Sequence, residues 1–193
     1  MAGPFSSSNQ QETPMSNVNG SSPQRIFSGS TDAGLNLSSS FGICLLAGGL
    51  VWAVDAWLRV PLHLPGWRGL IVMAILVAAR GVTGLPWAAT AAVCSAAVIG
   101  FAAGNIGPHG VLIYLLPGLI LDCFGMLGPA WRSSLWRIGF SAGVANALKF
   151  IAVLAFGAGF RGVGSFLPLT SHFLFGLAGG SLAAILLMRV RRK

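Results

Sequence analysis

Acidic residues are nearly missing: the 193 residues hold four Asp and Glu, and only Asp55 and Asp122 fall in the apolar part of the chain. Paired-carboxylate catalysis and clusters of carboxylate metal ligands are hard to assemble from so few acids. Cysteine is equally scarce. Cys44, Cys94 and Cys123 lie singly inside apolar segments, with no CxxC and no histidine at metal spacing, so they read as small core hydrophobes. No HExxH, GxSxG or Walker-type lysine loop occurs, and Ser95, Ser141 and Ser171 have no GxSx setting. No catalytic residue, metal or cofactor is therefore expected, and the chain does not read as an enzyme.

Charge of either sign is low, at 8%, whereas 54% of the residues are hydrophobic and the mean hydropathy is +0.77. Those values exclude an ordinary soluble domain and point to an integral membrane protein. The net charge of +8 does not argue for nucleic acid, because no basic patch is interleaved with aromatics. Four of the cations, Arg189, Arg191, Arg192 and Lys193, sit in the last five residues and mark a cytoplasmic end.

Residues 1–38 are rich in Ser, Asn, Gln, Gly and Pro and carry too little apolar surface to repay ordering, so a disordered tail is expected. The first apolar run begins near Phe41, too late for a secretory signal, and no cleavage is expected. Residues 39–193 then read as an all-α domain of six transmembrane helices, at about 41–58, 69–82, 86–104, 110–128, 134–159 and 166–188. The second is short, which leaves five spans and a re-entrant segment as the alternative. With six, both termini lie on one side with Arg25, Arg80, Arg132, Arg137 and the tail cations, against Arg59, Arg68 and Arg161 opposite. Both ends are then cytoplasmic, in a bacterial inner membrane. Lipid gives helices no hydrophobic reason to associate, so small residues four apart mark close packing. Such stripes are Ala92, Ala96, Gly100 and Gly104; Gly139, Gly143 and Ala147; Gly176, Gly180 and Ala184; and Gly49 with Ala53.

An ionisable group within a span is costly and usually faces the bundle interior or a cavity. At a rise of about 1.5 Å per residue, Lys149 lies roughly 13 Å below the outer surface and His172 about 9 Å below it. Asn146 is one turn below Lys149 on the same helix, and Tyr114 and Ser171 are at similar levels. Together they form a candidate outer-half cluster. Two other readings of Lys149 stay open: snorkelling to the headgroups, or an ion pair with Asp55. His172 alone also reads as a hydrogen-bonded packing residue. The connection RVPLHLPGWRG, residues 59–69, places His63 and Trp67 either as a lid or as interfacial anchors. Depth pairs Asp122 with Arg137 at the inner side, and sequence spacing pairs Asp55 with Arg59.

The passages LLPGLILDCFG, 115–125, and SHFLFGLAGGSLAAILLMRVRRK, 171–193, within a six-span body rich in Gly and Ala, resemble the S components of energy-coupling factor (ECF) transporters. These are the membrane-embedded substrate-binding subunits of vitamin importers. The resemblance implies an outward-facing pocket built from the last three helices, covered by the loop after the first, for a small vitamin or vitamin precursor. It implies substrate-binding roles for Lys149, His172, Asn146, Tyr114, Ser171 and Trp67. Gly49 and Ala53 then stand loosely for the surface that docks a transmembrane coupling protein with its ATPase subunits. A multi-pass scaffold or assembly protein without a ligand is the alternative, followed by a membrane-embedded enzyme.

Overall fold

The computed structural model describes residues 36–58, 65–128, 131, 134–158 and 166–191. The expected tail lies outside these apart from its last three residues, Asn36 preceding the first helix and Leu37 and Ser38 opening it. Among these residues six helices follow in order: α1 Leu37–Trp57, α2 Trp67–Thr83, α3 Ala88–Ala102, α4 Pro108–Met126, α5 Leu135–Val153 and α6 Phe166–Arg191. The described residues contain no strand. Four helices, α1, α4, α5 and α6, are long and apolar enough to cross a membrane. By contrast α2 and α3, of 17 and 15 residues, are about 25 and 22 Å long, short of the roughly 30 Å of hydrocarbon.

Local chemistry sets these boundaries. Gly84 ends α2 in the left-handed conformation at φ 68°, its N–H bonded to the Arg80 carbonyl at 3.0 Å. Pro108 opens α4, where its missing N–H costs nothing. Past Val153 the backbone of α5 widens into a π-helical turn, Leu154–Ala158.

Neighbour relations close the helices into a ring: α1 packs on α3, α3 on α4, α4 on α5, α5 on α6, α6 on α2 and α2 on α1. Because α2 also touches α3 and α5, it is the most enclosed element. Val72, Met73, Leu76 and Val77 on it are at most 2% exposed. Large apolar side chains elsewhere point outward, among them Leu45, Leu46 and Leu50 of α1, Val98 of α3, Leu119 of α4, Leu148 of α5 and Leu182 of α6. Such an exterior suits lipid, and an interior rich in Ala and Gly suits helices held by close backbone approach.

The small-residue stripes meet across α5 and α6. A Cβ on Gly176 would lie 2.5 Å from the Ala142 carbonyl oxygen and 3.0 Å from Gly143 Cα, and one on Gly180 would lie 2.5 Å from Ala142 Cβ. Ala92, Ala96 and Gly100 are buried on α3. Ala92 meets α1 at Gly48, whose missing Cβ makes room for the Ala92 carbonyl and Ser95, and Gly100 packs against Ile106 and Trp52. Two details differ from the sequence reading. Gly104 lies beyond the end of α3 at φ 69°, terminating the helix rather than packing it, and Gly49 faces open space with nothing within 4 Å of a Cβ.

Asp122 does not pair with Arg137. Its carboxylate lies 3.6 Å from Arg80, and both side chains are almost fully buried. The other oxygen accepts hydrogen bonds from the Thr90 N–H and hydroxyl, both at 2.7 Å. Arg80 also donates to the Leu121 carbonyl. Arg137 is exposed, its guanidinium 5.7 Å from the centre of the Trp131 ring. Depth alone could not separate the two arginines, because both lie near the same end of the bundle. Rotation separates them: Arg80 is on the enclosed helix α2, and its guanidinium occupies the space where Gly125 lacks a Cβ.

Candidate binding cavity

At the end of the bundle where α1 and α5 finish and α2 and α6 begin, a cavity of about 300 Å3 opens between these four helices. That is at the lower end of the size range of small-molecule sites. Its walls come from α1, α2, α5 and α6, so α1 and α2 contribute where the last three helices were expected, and among the described residues α4 adds no lining residue, Tyr114 instead lying with its ring against the Lys149 ammonium.

Asn146 and, one turn later, Lys149 and Phe150 project from the second half of α5, and all three line the cavity. The Lys149 ammonium is 3.3 Å from the Asp55 carboxylate and 4.8 Å from the centre of the Tyr114 ring. Of the readings open for Lys149, the ion pair with Asp55 is the one realised. Both side chains remain about one-fifth exposed, so the pair lies at the cavity wall and not in the sealed interior. The expected Asp55–Arg59 pair and His63 fall outside the described residues.

Asn146 is 2% exposed and donates from Nδ2 to the His172 carbonyl at 2.7 Å. This close fit depends on Gly69, because any Cβ there would overlap the Asn146 amide. The imidazole of His172 stacks on Phe150 with centroids 4.5 Å apart and planes 19° apart. Gly66, at φ 87°, also lies against His172, where a Cβ would come within 2.9 Å of the ring. His172 Nδ1 is buried and has no hydrogen-bond partner among the described residues. Ser171 does not line the cavity: its hydroxyl donates to the Pro65 carbonyl and fastens α6 to the turn before α2. Trp67 is the first residue of α2 and lines the cavity from there.

Two contributors were not singled out from the sequence. Arg68, read as a loop cation, lies in the first turn of α2 and donates to the Asp55 carbonyl at 3.2 Å. That carbonyl belongs to the last turn of α1, where the helix supplies no partner of its own. Phe150, an ordinary apolar residue by its context, provides the stacking face for His172. A signal for Arg68 did exist, since a cation one residue into a helix is unfavourable unless something nearby is negative.

Among the described residues, no three His, Cys, Asp or Glu side chains are grouped to hold a metal. The arrangement gathers a point cation, a guanidinium fork, a carboxylate and an aromatic wall around one space. No protein-family model, curated protein or solved structure matches the chain.

Proposed function

We propose that the chain is the membrane-embedded substrate-binding subunit of an ECF-type importer, taking a small vitamin or vitamin precursor into the cavity beside Lys149. The observation that carries this reading is the convergence of Lys149, His172, Asn146 and Trp67 on one space at a bundle end. In this reading all six helices span the membrane. The shortness of α2 and α3 is tolerable because α2 is enclosed by other helices and short spans are accommodated by local thinning. Both termini are cytoplasmic, following the cations at the opposite end of the bundle from the cavity, and the site opens outward. Gly49 and Ala53 belong to an outward face of α1 on which Gly49 is not consumed by internal packing, as docking to a coupling protein requires. The membrane is then a bacterial inner membrane.

One observation favours a ligand-free scaffold instead. Lys149 has Asp55 and Asn146 has a backbone carbonyl, so neither needs a ligand for satisfaction. Purification in mild detergent followed by mass spectrometry of co-purifying small molecules separates the two readings. The importer subunit is expected to carry a specific small molecule, reduced about tenfold or more in Lys149→Ala, as for a lost hydrogen bond to a charged group. Equal retention by both proteins removes the role of Lys149. Absence of any small molecule, with no coupling protein in the preparation, favours the scaffold.

A further inference from the structure

Two cations converge on a single acidic residue at the cavity. Lys149 binds the Asp55 carboxylate at 3.3 Å, and Arg68 donates one N–H to the Asp55 backbone carbonyl at 3.2 Å. The carbonyl is neutral and leaves the guanidinium its full charge, and among the described residues this is the hydrogen bond the guanidinium makes, so most of its donors are open to another partner. Among the described residues, the cavity wall therefore holds two cations against one acid. The same wall includes the start of α2, which has no acid in its first turn and no side-chain cap, so the positive end of the helix adds to the imbalance.

We infer that the cavity takes a small organic monocarboxylate, whose acid group is gripped by the Arg68 fork and draws Lys149 away from Asp55. This rests on the cavity being a small-molecule site and names the class of molecule. The pairing of Lys149 with Asp55 does not abolish selectivity for anions, because Arg68 restores the excess of positive charge. One negative charge balances that excess, whereas a dianionic phosphate would overfill it. Guanidinium and carboxylate match as a planar two-point contact, and the lysine ammonium follows the charge without fixed geometry. Asp55 is then an internal stand-in that keeps Lys149 neutralised while the cavity is empty and competes with the ligand when it arrives. With about ten liquid-water volumes of space, the cavity suits a ring or short chain carrying the carboxylate.

The test uses the full chain in lipid nanodiscs and three probes of nearly the same shape, benzoate, benzamide and benzamidinium, at constant ionic strength. Affinity is read by calorimetry and by the shift in unfolding temperature. The expected order is benzoate first and benzamidinium last. Arg68→Gln should weaken benzoate about 10- to 100-fold, the effect of losing a charged hydrogen-bond donor. Asp55→Asn should tighten it about tenfold by removing the competitor. Benzamide or benzamidinium binding as well as benzoate overturns the carboxylate class while leaving a small-molecule site in place. Weaker benzoate binding by Asp55→Asn overturns the competition. Silence from all three probes removes the inference together with the pocket reading. Should Arg68→Gln not fold, the probe order in the wild-type chain decides.

Discussion

Replacing Asp122 by Ala should cost about 3–5 kcal/mol of stability, because it removes a buried carboxylate that lies 3.6 Å from the Arg80 guanidinium. The double variant Arg80→Met with Asp122→Leu should recover most of that loss. Burying two charges is itself expensive, and apolar side chains of similar size fill the space without the desolvation cost. The pair lies at 3.6 Å with both side chains almost fully buried, so water does little to replace the lost attraction. Thr90 moderates the reverse case: in Arg80→Met, two 2.7 Å hydrogen bonds still hold one oxygen of Asp122. Arg80→Met should therefore be the milder single variant. Unfolding followed by circular dichroism as the fraction of SDS in mixed micelles rises measures all three. Additive losses in the double variant would show that the two groups do not act as a pair.

Gly179→Ala should be among the most damaging single-methyl additions in the chain, at about 3 kcal/mol or more. An ideal Cβ at this position would meet the Leu70 carbonyl carbon at 2.8 Å and its Cα at 3.0 Å, with the carbonyl oxygen closer still. These are backbone atoms of α2, which cannot rotate aside. Retreat of α6 is blocked as well, since its Gly176 and Gly180 already fix it against α5. Gly49→Ala provides the internal control. Nothing lies within 4 Å of its Cβ direction, so this variant should be within about 0.5 kcal/mol of wild type or slightly more stable, as helix propensity favours alanine. Equal losses at both positions in the same SDS titration would contradict the packing of α6 between α2 and α5. The Gly49 variant also tests the proposed docking face, since its folding should be intact whatever it does to partner assembly.

How much of this arrangement could be read from the residues depended on whether one dimension sufficed. Depth along the helix axis is one-dimensional, and counting it placed Lys149, His172, Asn146 and Tyr114 at one end. Three of these line the cavity and the fourth lies with its ring below the lysine. Pairing across helices needs rotation as well, and there the counting failed: Asp122 meets Arg80, not Arg137. Ser171 shows the same limit in reverse, being at the right level but turned toward Pro65. Among the glycines, spacing identified Gly176 and Gly180 but selected Gly49 where its neighbour Gly48 makes the close approach, since adjacent residues on a helix differ by about 100° in direction.

The sequence by itself determined the helical class, the places where most helices begin and end, and the level of each polar group. These follow from hydropathy, from Gly and Pro punctuation, and from a fixed rise per residue, all of them local properties of the chain. Only the tertiary structure decided which helices are neighbours and which way each side chain faces. It enclosed α2 among four other helices, so that Arg80 became a buried partner and Arg68 a member of the cavity. It also brought Asp55 from 94 residues away to Lys149. The physical reason is that these contacts depend on complementary shape between surfaces, such as a missing Cβ at Gly125 or Gly69, and shape complementarity exists only once both surfaces have been placed together.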